Sequence, residues 1–393
     1  MSQHTQPLGA SIHRAVLRNI HLARVQRPDH EELYLSASAP QGGLADPRAQ
    51  AATLYGEVAA LLSEHNGVVV QERLYGALAA QPQAEAGRAQ ALQGLSAFGD
   101  VPPTYLEGLP CSGEGLAGVH LCAVAGADVQ SISHGGLPIG RAVDTPAATY
   151  LYLSGLRGTT PNEPLPRVEQ ALRAFGKANE ALASQGFTYR DVVRTWIYIH
   201  DILAWYDDFN QARNEAYRQF GLLGSGEDYL PASTGIQGRS PGHLELTMDL
   251  LAARAKPGSD LETARLHNPL QNEAYAYGSA FARAMEVVTG GARTIYVSGT
   301  APIDEFGDSM HQDDIDAQIE RTVRNVEALI GTRGLTLDDL AQATVFLKHP
   351  QHYDRFLRVC AGTRLAEVGV CMVADVCREE LLFEFDAVAA GLV

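Results

Sequence analysis

A glutamate between aromatics, in Phe383-Glu384-Phe385-Asp386, is the residue of this chain best suited to acid–base work. The apolar–acidic alternation reads as a strand. A carboxyl carried by such a strand into a closed cleft is desolvated, so its pKa rises and it can hold and donate a proton near neutral pH. On an edge strand the same residue would face water. Arginines are the second signal, because a guanidinium fork matches a planar carboxylate. Arg157 follows a Ser154-Gly155 turn, Arg213 and Tyr217 stand four apart on one helix face, and Arg283 lies in Phe281-Ala282-Arg283-Ala284. Arg157 and Arg213 also have a plain reading as part of a solvated face. Cys377 precedes Glu384, and a free cysteine is commonly a small buried hydrophobe. No histidine is tied to it by a motif that would make a nucleophilic pair, and Cys371 reads as core. Gly299 leaves room for backbone to approach a ligand.

The elements that must position these residues come in repeats. Leu33-Tyr34-Leu35-Ser36-Ala37-Ser38, Leu151-Tyr152-Leu153-Ser154-Gly155-Leu156 and Ile295-Tyr296-Val297-Ser298-Gly299-Thr300 are one strand-plus-turn pattern in three copies. An Arg-Ala pair precedes each, at Arg14, Arg141 and Arg283. That echo gives Arg283 a structural reading beside the binding one. Repetition of this kind marks tandem copies of one α/β unit, and clefts between copies favour small-molecule sites.

In the last copy a strand over 294–298 leads to a helix with Ile315, Ile319, Val323, Val326 and Ile330 on one face. A strand over 343–347, a helix through Tyr353, Phe356, Leu357 and Cys360, and two β-rich stretches over 370–376 and 381–388 complete it. The middle copy matches: a helix through Val168, Leu172, Phe175 and Leu182, a strand over 195–199, a helix through Tyr206, Phe209, Tyr217 and Phe220, and a closing strand over 244–251. Here Thr247 stands where the third copy has Glu384, whereas Asp249 answers Asp386; the recurring aspartate reads as structural. The first copy is degenerate, with a helix through Leu54, Val58, Leu61 and Leu62, a strand over 67–70, a helical stretch over 84–98 and a closing strand over 118–125. Linkers fall near 126–140 and 254–272. The resulting units are 1–132, 133–262 and 263–393.

Composition narrows the function classes. A net charge of −16 argues against nucleic acid as the main partner, while a few local arginines still suit an anionic small molecule. Five cysteines without a C-x-x-C pattern fit a reduced thiol set. The N-terminus lacks a signal-peptide pattern, and no apolar run reaches the roughly 18 residues of a membrane helix; a cytoplasmic protein is expected, with no membrane partner. Gly113-Glu114-Gly115-Leu116-Ala117-Gly118 fits G-x-G-x-x-G but precedes a strand, so it reads as a loop. The histidines show no metal spacing.

The βαβ-type unit resembles the RidA/YjgF family, small α/β proteins that trimerise with clefts between subunits. The wider pattern resembles the chorismatases, built from RidA-like units. The residues that carry this are 71–76 (QERLYG), 103–108 (PTYLEG), 231–236 (PASTGI) and 373–378 (VADVCR). The match runs from about residue 12 to 390, and the order of the motifs is more specific than any one of them. The resemblance implies an intramolecular pseudo-trimer of three RidA-like units, a monomer or weak oligomer, acting without metal or organic cofactor. It implies removal of the enolpyruvyl group of chorismate as pyruvate, leaving a dihydroxycyclohexadiene carboxylate or a hydroxybenzoate. Glu384 would protonate the vinyl CH2. In one branch the family's glutamate follows a cysteine by seven residues, the spacing of Cys377 and Glu384 here; that cysteine accompanies hydroxybenzoate formation, 3- or 4-hydroxybenzoate. Arg157, Arg213, Tyr217, Arg283 and Gly299 would bind substrate, with Ser233 and Thr234. The last two replace the arginine that RidA enzymes carry after Pro-Ala, which argues against RidA-type imine hydrolysis. The alternatives are the hydrolytic branch, a non-catalytic RidA-like small-molecule sensor, and an imine deaminase.

Overall fold

The structure is a computed structural model that describes residues 9–17, 19–39, 46–161, 163–224, 229–242 and 244–393. The N-terminal stretch read for a signal peptide begins in residues 1–8, outside the described residues.

Three units, each built on one sheet, follow one another along the chain. The first contains β1 (Ser11–Leu17), β2 (Ile20–Gln26), β3 (Glu31–Ser38), α1 (Pro47–His65), β4 (Val68–Gly76), α2 (Gln81–Ala91), β5 (Thr104–Glu107), β6 (Leu109–Pro110) and β7 (Leu116–Ala125). The second contains β8 (Asp128–His134), β9 (Leu137–Asp144), β10 (Ala148–Leu156), α3 (Arg167–Ser184), β11 (Val192–Ile199), α4 (Tyr206–Gln219), β12 (Ala232–Gln237) and β13 (Leu246–Ala255). The third contains β14 (Glu262–Leu266), β15 (Ala284–Thr289), β16 (Ala292–Thr300), α5 (Ile315–Gly331), β17 (Leu340–Leu347), α6 (Tyr353–Val359), α7 (Arg364–Val368), β18 (Gly369–Val373) and β19 (Phe383–Leu392). The strand orders, β1-β2-β3-β7-β4-β5, β8-β9-β10-β13-β11-β12 and β14-β15-β16-β19-β17-β18, are one topology written three times. β6 leaves the first unit and extends the third sheet by pairing with β18.

Periodicity explains the helices. In α5, Ile315, Ile319, Val326, Leu329 and Ile330 are buried, and the Asp314 side chain caps the N-terminus by accepting from Ala317 N. The connections 186–192 and 334–340, at matching places in the second and third units, each carry a capping box, Thr188 with Asp191 and Thr336 with Asp339. Helices cover one face of each sheet. The opposite faces of all three sheets share one core, with Tyr34, Tyr75, Tyr152, Trp196, Tyr198, Tyr296 and Phe346. The Tyr34 and Tyr296 hydroxyls meet at 3.2 Å, as do those of Tyr75 and Tyr198. No helix among the described residues is long and apolar enough to cross a membrane.

Register corrects several expectations. The stretch read as a linker near 126–140 is the hairpin of β8 and β9, and the 254–272 stretch contains β14. The divisions at 132/133 and 262/263 therefore fall within β8 and β14. The Arg-Ala echo is not a structural repeat. Ala284 pairs with Val297, whereas the partner of the equivalent Leu153 is Gly140, and Arg141 pairs with Tyr152 one residue along. Arg14 lies in β1, a strand further out, opposite Ala23. Arg283 thus has no arginine counterpart in the other units, and the structural reading drawn from recurrence loses its basis.

Candidate active site

Where the second and third units meet, β12 packs against β16. Ser233 N donates to Ser298 Oγ at 2.8 Å, and Ala282 N donates to Pro231 O at 2.9 Å. Above this seam lies a cavity with about 760 Å³ of atom-free space, part of it open to solvent. The second unit supplies Ser233 and Gly235 from β12 and Tyr206, Asp207, Asn210 and Arg213 from α4. The third supplies Glu384 from β19, Gly299 at the end of β16, Arg283 just before β15, and Tyr277, Cys377 and Arg378 from loops.

Glu384 is 4% exposed and has no hydrogen-bond partner among the described residues. Burial pushes its carboxyl up to about 8; Asp386 adds to the push, and Arg194 and Arg283 pull against it. Gly299 is tight against it: a Cβ at position 299 would collide with Glu384 Oε1 and lie 3.1 Å from the carboxyl carbon. The glycine is required by space, since its φ is not left-handed.

Cationic groups surround this acid. Arg213, 1% exposed, donates to Asn210 Oδ1 and lies between the rings of Phe209 and Phe281, 5.2 and 5.6 Å from their centres. Its Nε has no partner. Arg283 donates to Asn272 O and, at 2.7 Å, to Tyr277 Oη. Arg378 donates to Gly307 O and Ser309 Oγ. Among the described residues none of the three is in an ion pair with a carboxylate. Buried guanidinium without a counter-ion is costly, so the cavity suits an anion with planar carboxylates. Cys377 is partly buried beside Tyr206. Burial first, then Glu384, raises its thiol to about 12, with Arg378 opposing, so it is a neutral SH rather than a nucleophilic thiolate at neutral pH.

Comparison with known proteins places this arrangement. The family model described as Endoribonuclease L-PSP matches residues 278–390. A chorismatase of Streptomyces rapamycinicus is 29% identical over 228 residues, covering 51% of this chain and 65% of that protein. A crystal structure of a chorismatase superposes with a TM-score of 0.62 at 21% identity, covering 82% of this chain and 93% of that one. The chain thus shares the fold of a chorismatase and resembles another chorismatase in sequence over about half of its own length. A RutC family protein of Sulfurisphaera tokodaii is 35% identical over 68 residues, 17% of this chain and 54% of that protein. The alignments thus span less than two thirds of the length of these curated relatives.

Six of the nine residues expected at the site line the cavity: Glu384, Cys377, Arg213, Ser233, Arg283 and Gly299. Thr234 lies just behind, its hydroxyl donating to Asp386 Oδ2 at 2.7 Å and accepting from Gly299 N at 3.1 Å. Two residues lie elsewhere. Tyr217 is fully buried beneath α4 against Phe175 and Tyr189, because that helical stripe faces the core of the second unit. Arg157 follows β10 and belongs to the cleft between the first and second units, near Asp249; its counterpart, Ala301, lines the cavity. Tyr206, Asn210, Tyr277 and Arg378 were not anticipated. Only Arg378 carried a signal, its adjacency to Cys377.

Register also shows why the other two clefts of this chain differ. Leu121, Leu250 and Ala387 are equivalent, each opposite its copy of the repeated strand. Three residues earlier stand Gly118, Thr247 and Glu384; one residue earlier, His120, Asp249 and Asp386. In the second cleft Asp249 Oδ1 accepts from Gly155 N and Thr104 Oγ1, both at 2.8 Å, but the acid is absent. Arg88, on the helix corresponding to α4, is neutralised by Glu72 through bonds of 2.7 and 2.6 Å. In the third cleft the β3–β7 register runs unbroken where β10–β13 and β16–β19 carry a bulge at the Ser-Gly turn.

Proposed function

We propose that this chain is a chorismatase that converts chorismate to pyruvate and a hydroxybenzoate, with Glu384 as proton donor. The observation that carries the reading is a buried, proton-holding carboxylic acid facing a cavity lined by three arginines that lack carboxylate partners. Chorismate brings two carboxylates, which Arg213 and Arg283 are placed to receive, with Arg378 at the Cys377 wall. Glu384 gives its proton to the vinyl CH2 of the enol ether, and the adjacent carbon becomes an oxocarbenium ion. Arg283 and the cavity wall hold the substrate so that the methylene faces the acid.

Two outcomes follow from the trapping step. Capture of the cation by the ring hydroxyl, followed by loss of a ring proton and expulsion of pyruvate, divides chorismate into pyruvate and hydroxybenzoate without net water. Capture by water consumes one water and yields pyruvate and the dihydroxycyclohexadiene carboxylate. Cys377 supports the first: a neutral thiol against Tyr206 is a weak hydrogen-bonding partner for an attacking water. Ser233 and Thr234, in place of the arginine after Pro-Ala, weigh against imine hydrolysis.

The test is incubation with chorismate, following pyruvate enzymatically and the ring product by chromatography with mass detection. Pyruvate with 3- or 4-hydroxybenzoate is the expected result, and Glu384→Gln should lose roughly 10²–10⁴-fold in kcat while still binding chorismate. Pyruvate with the diene acid would overturn the role given to Cys377. No pyruvate above background would leave a RidA-like binding protein.

A further inference from the structure

Two carboxylates occupy one face of β19, Glu384 toward the cavity and Asp386 two residues along, at the seam between units. Asp386 Oδ2 accepts from Thr234 Oγ1 at 2.7 Å and from Arg194 Nη2 at 3.0 Å. The same Thr234 oxygen accepts from Gly299 N at 3.1 Å and from Arg194 Nη2 at 2.5 Å. A hydroxyl has one proton and two lone pairs. With both lone pairs taken by N–H groups, the proton can only go to Asp386, whose Oδ2 accepts from both this hydroxyl and the Arg194 guanidinium, the arrangement of a carboxylate in an ion pair. The circuit closes on the acid, because Gly299, pinned by Thr234, packs directly on the Glu384 carboxyl.

We propose that Asp386 is a positioning residue for the Glu384 acid: its fixed negative charge keeps the neighbouring carboxyl in the proton-bearing form, and its bonds through Thr234 hold the Gly299 backbone against it. This rests on the reading of Glu384 as proton donor. Arg194 opposes that charge as seen from Glu384 but acts on the acid less strongly than Asp386 does. It is spent on Asp386 and Thr234, and lies 4.7 Å from the Trp196 ring centre, with Nε and Nη1 unpartnered. The other charged or titratable groups around Glu384 are Arg283 ahead of β15, Tyr206, Asp207 and Arg213 on α4, and Tyr277, Cys377 and Arg378 in the loops. Asp386 is the carboxylate on the acid's own strand, and like charges at close range oppose a second ionisation. The second cleft gives the contrast. Asp249 also accepts from a threonine, Thr104, but takes Gly155 N directly rather than through the hydroxyl, and its neighbour is Thr247. There the aspartate only ties units together.

The experiment is the pH profile of kcat/KM for chorismate with the full chain. Asp386→Asn keeps the shape and an accepting oxygen but removes the charge. The alkaline fall in activity should move down by about one pH unit or more, with about a tenfold loss near pH 8 and a low-pH plateau within about threefold of the parent. Thr234→Val should lower kcat at every pH by about tenfold with KM little changed, and Thr234→Ser should restore it. An unmoved alkaline limb in Asp386→Asn, or a loss equal at all pH values, overturns the proposal. Should Asp386→Asn not fold, equal activity in the Val, Ser and parent proteins overturns it. If Glu384→Gln itself keeps turnover, the assignment of the acid fails; if that variant is dead while Asp386→Asn is unshifted, only the role of Asp386 fails.

Discussion

On the proposed function, Glu384 couples catalysis to stability through one proton. An ordinary glutamate ionises near 4.5, and burial moves this one to about 8. Between those values the folded protein holds a proton that the unfolded chain has released, so folding stability falls as pH rises across that window. Glu384→Gln removes this titration. The variant should melt at nearly the same temperature as the parent near pH 4.5 and above it at pH 9, by on the order of a few kcal/mol of stability; calorimetry at the two pH values checks it. Arg213 makes the opposite point. Its guanidinium is buried with no carboxylate, so it is a standing cost until an anion arrives. Arg213→Gln should weaken chorismate binding by about tenfold or more while leaving the melting temperature unchanged or raised, as titration calorimetry on the Glu384→Gln background would show. Cys377, by contrast, has its thiol raised to about 12 and offers no nucleophile.

Among the elements, the Ser-Gly bulge of β16 decides whether a cleft can hold an acid. It shifts the β16–β19 register between Val297 and Thr300 and leaves a side-chain-free position over Glu384. Gly299→Ala should displace the carboxyl and reduce kcat by about tenfold or more, with a smaller change in KM; steady-state kinetics at pH 6 and 8 check it. Elements with strong periodicity were legible in the sequence. α5 and β16 could be read from apolar spacing, and the repeated Tyr-bearing strand revealed the threefold reuse of one topology. β12 carries a motif but no strand signal, because Ala232-Ser233-Thr234-Gly235 has small residues and no alternation. β8 reads as a linker in the sequence because an edge strand with Asp128, Gln130 and Ser131 is polar. The Arg-Ala echo misled because a shared dipeptide carries no register. At the site, Glu384 stood out by aromatic–acid alternation, whereas Tyr277 and Arg378 come from loops whose placement depends on packing between distant segments.

For the whole molecule, the cavity needs two units at once: Arg213 and Ser233 come from the second, Glu384 and Arg283 from the third. The first unit reaches the same neighbourhood through β6, whose pairing with β18 braces the strand leading to Cys377. Arg157, in the cleft between the first and second units, stands apart. Arg157→Gln should therefore leave kcat/KM within about threefold of the parent, and Glu384→Gln should bind one chorismate per chain by calorimetry; two equivalents, or a large loss in Arg157→Gln, would show a second working cleft. The covalent joining of the three units bears on what each cleft can become. In a ring of identical chains, a residue introduced at one junction is introduced at every junction, and a side chain that helps one must be tolerated by all. A ring written into a single gene is released from that constraint. Glu384, Thr247 and Gly118 can then diverge at a shared address, so one junction can specialise for chemistry while its two siblings remain free to serve as mortar.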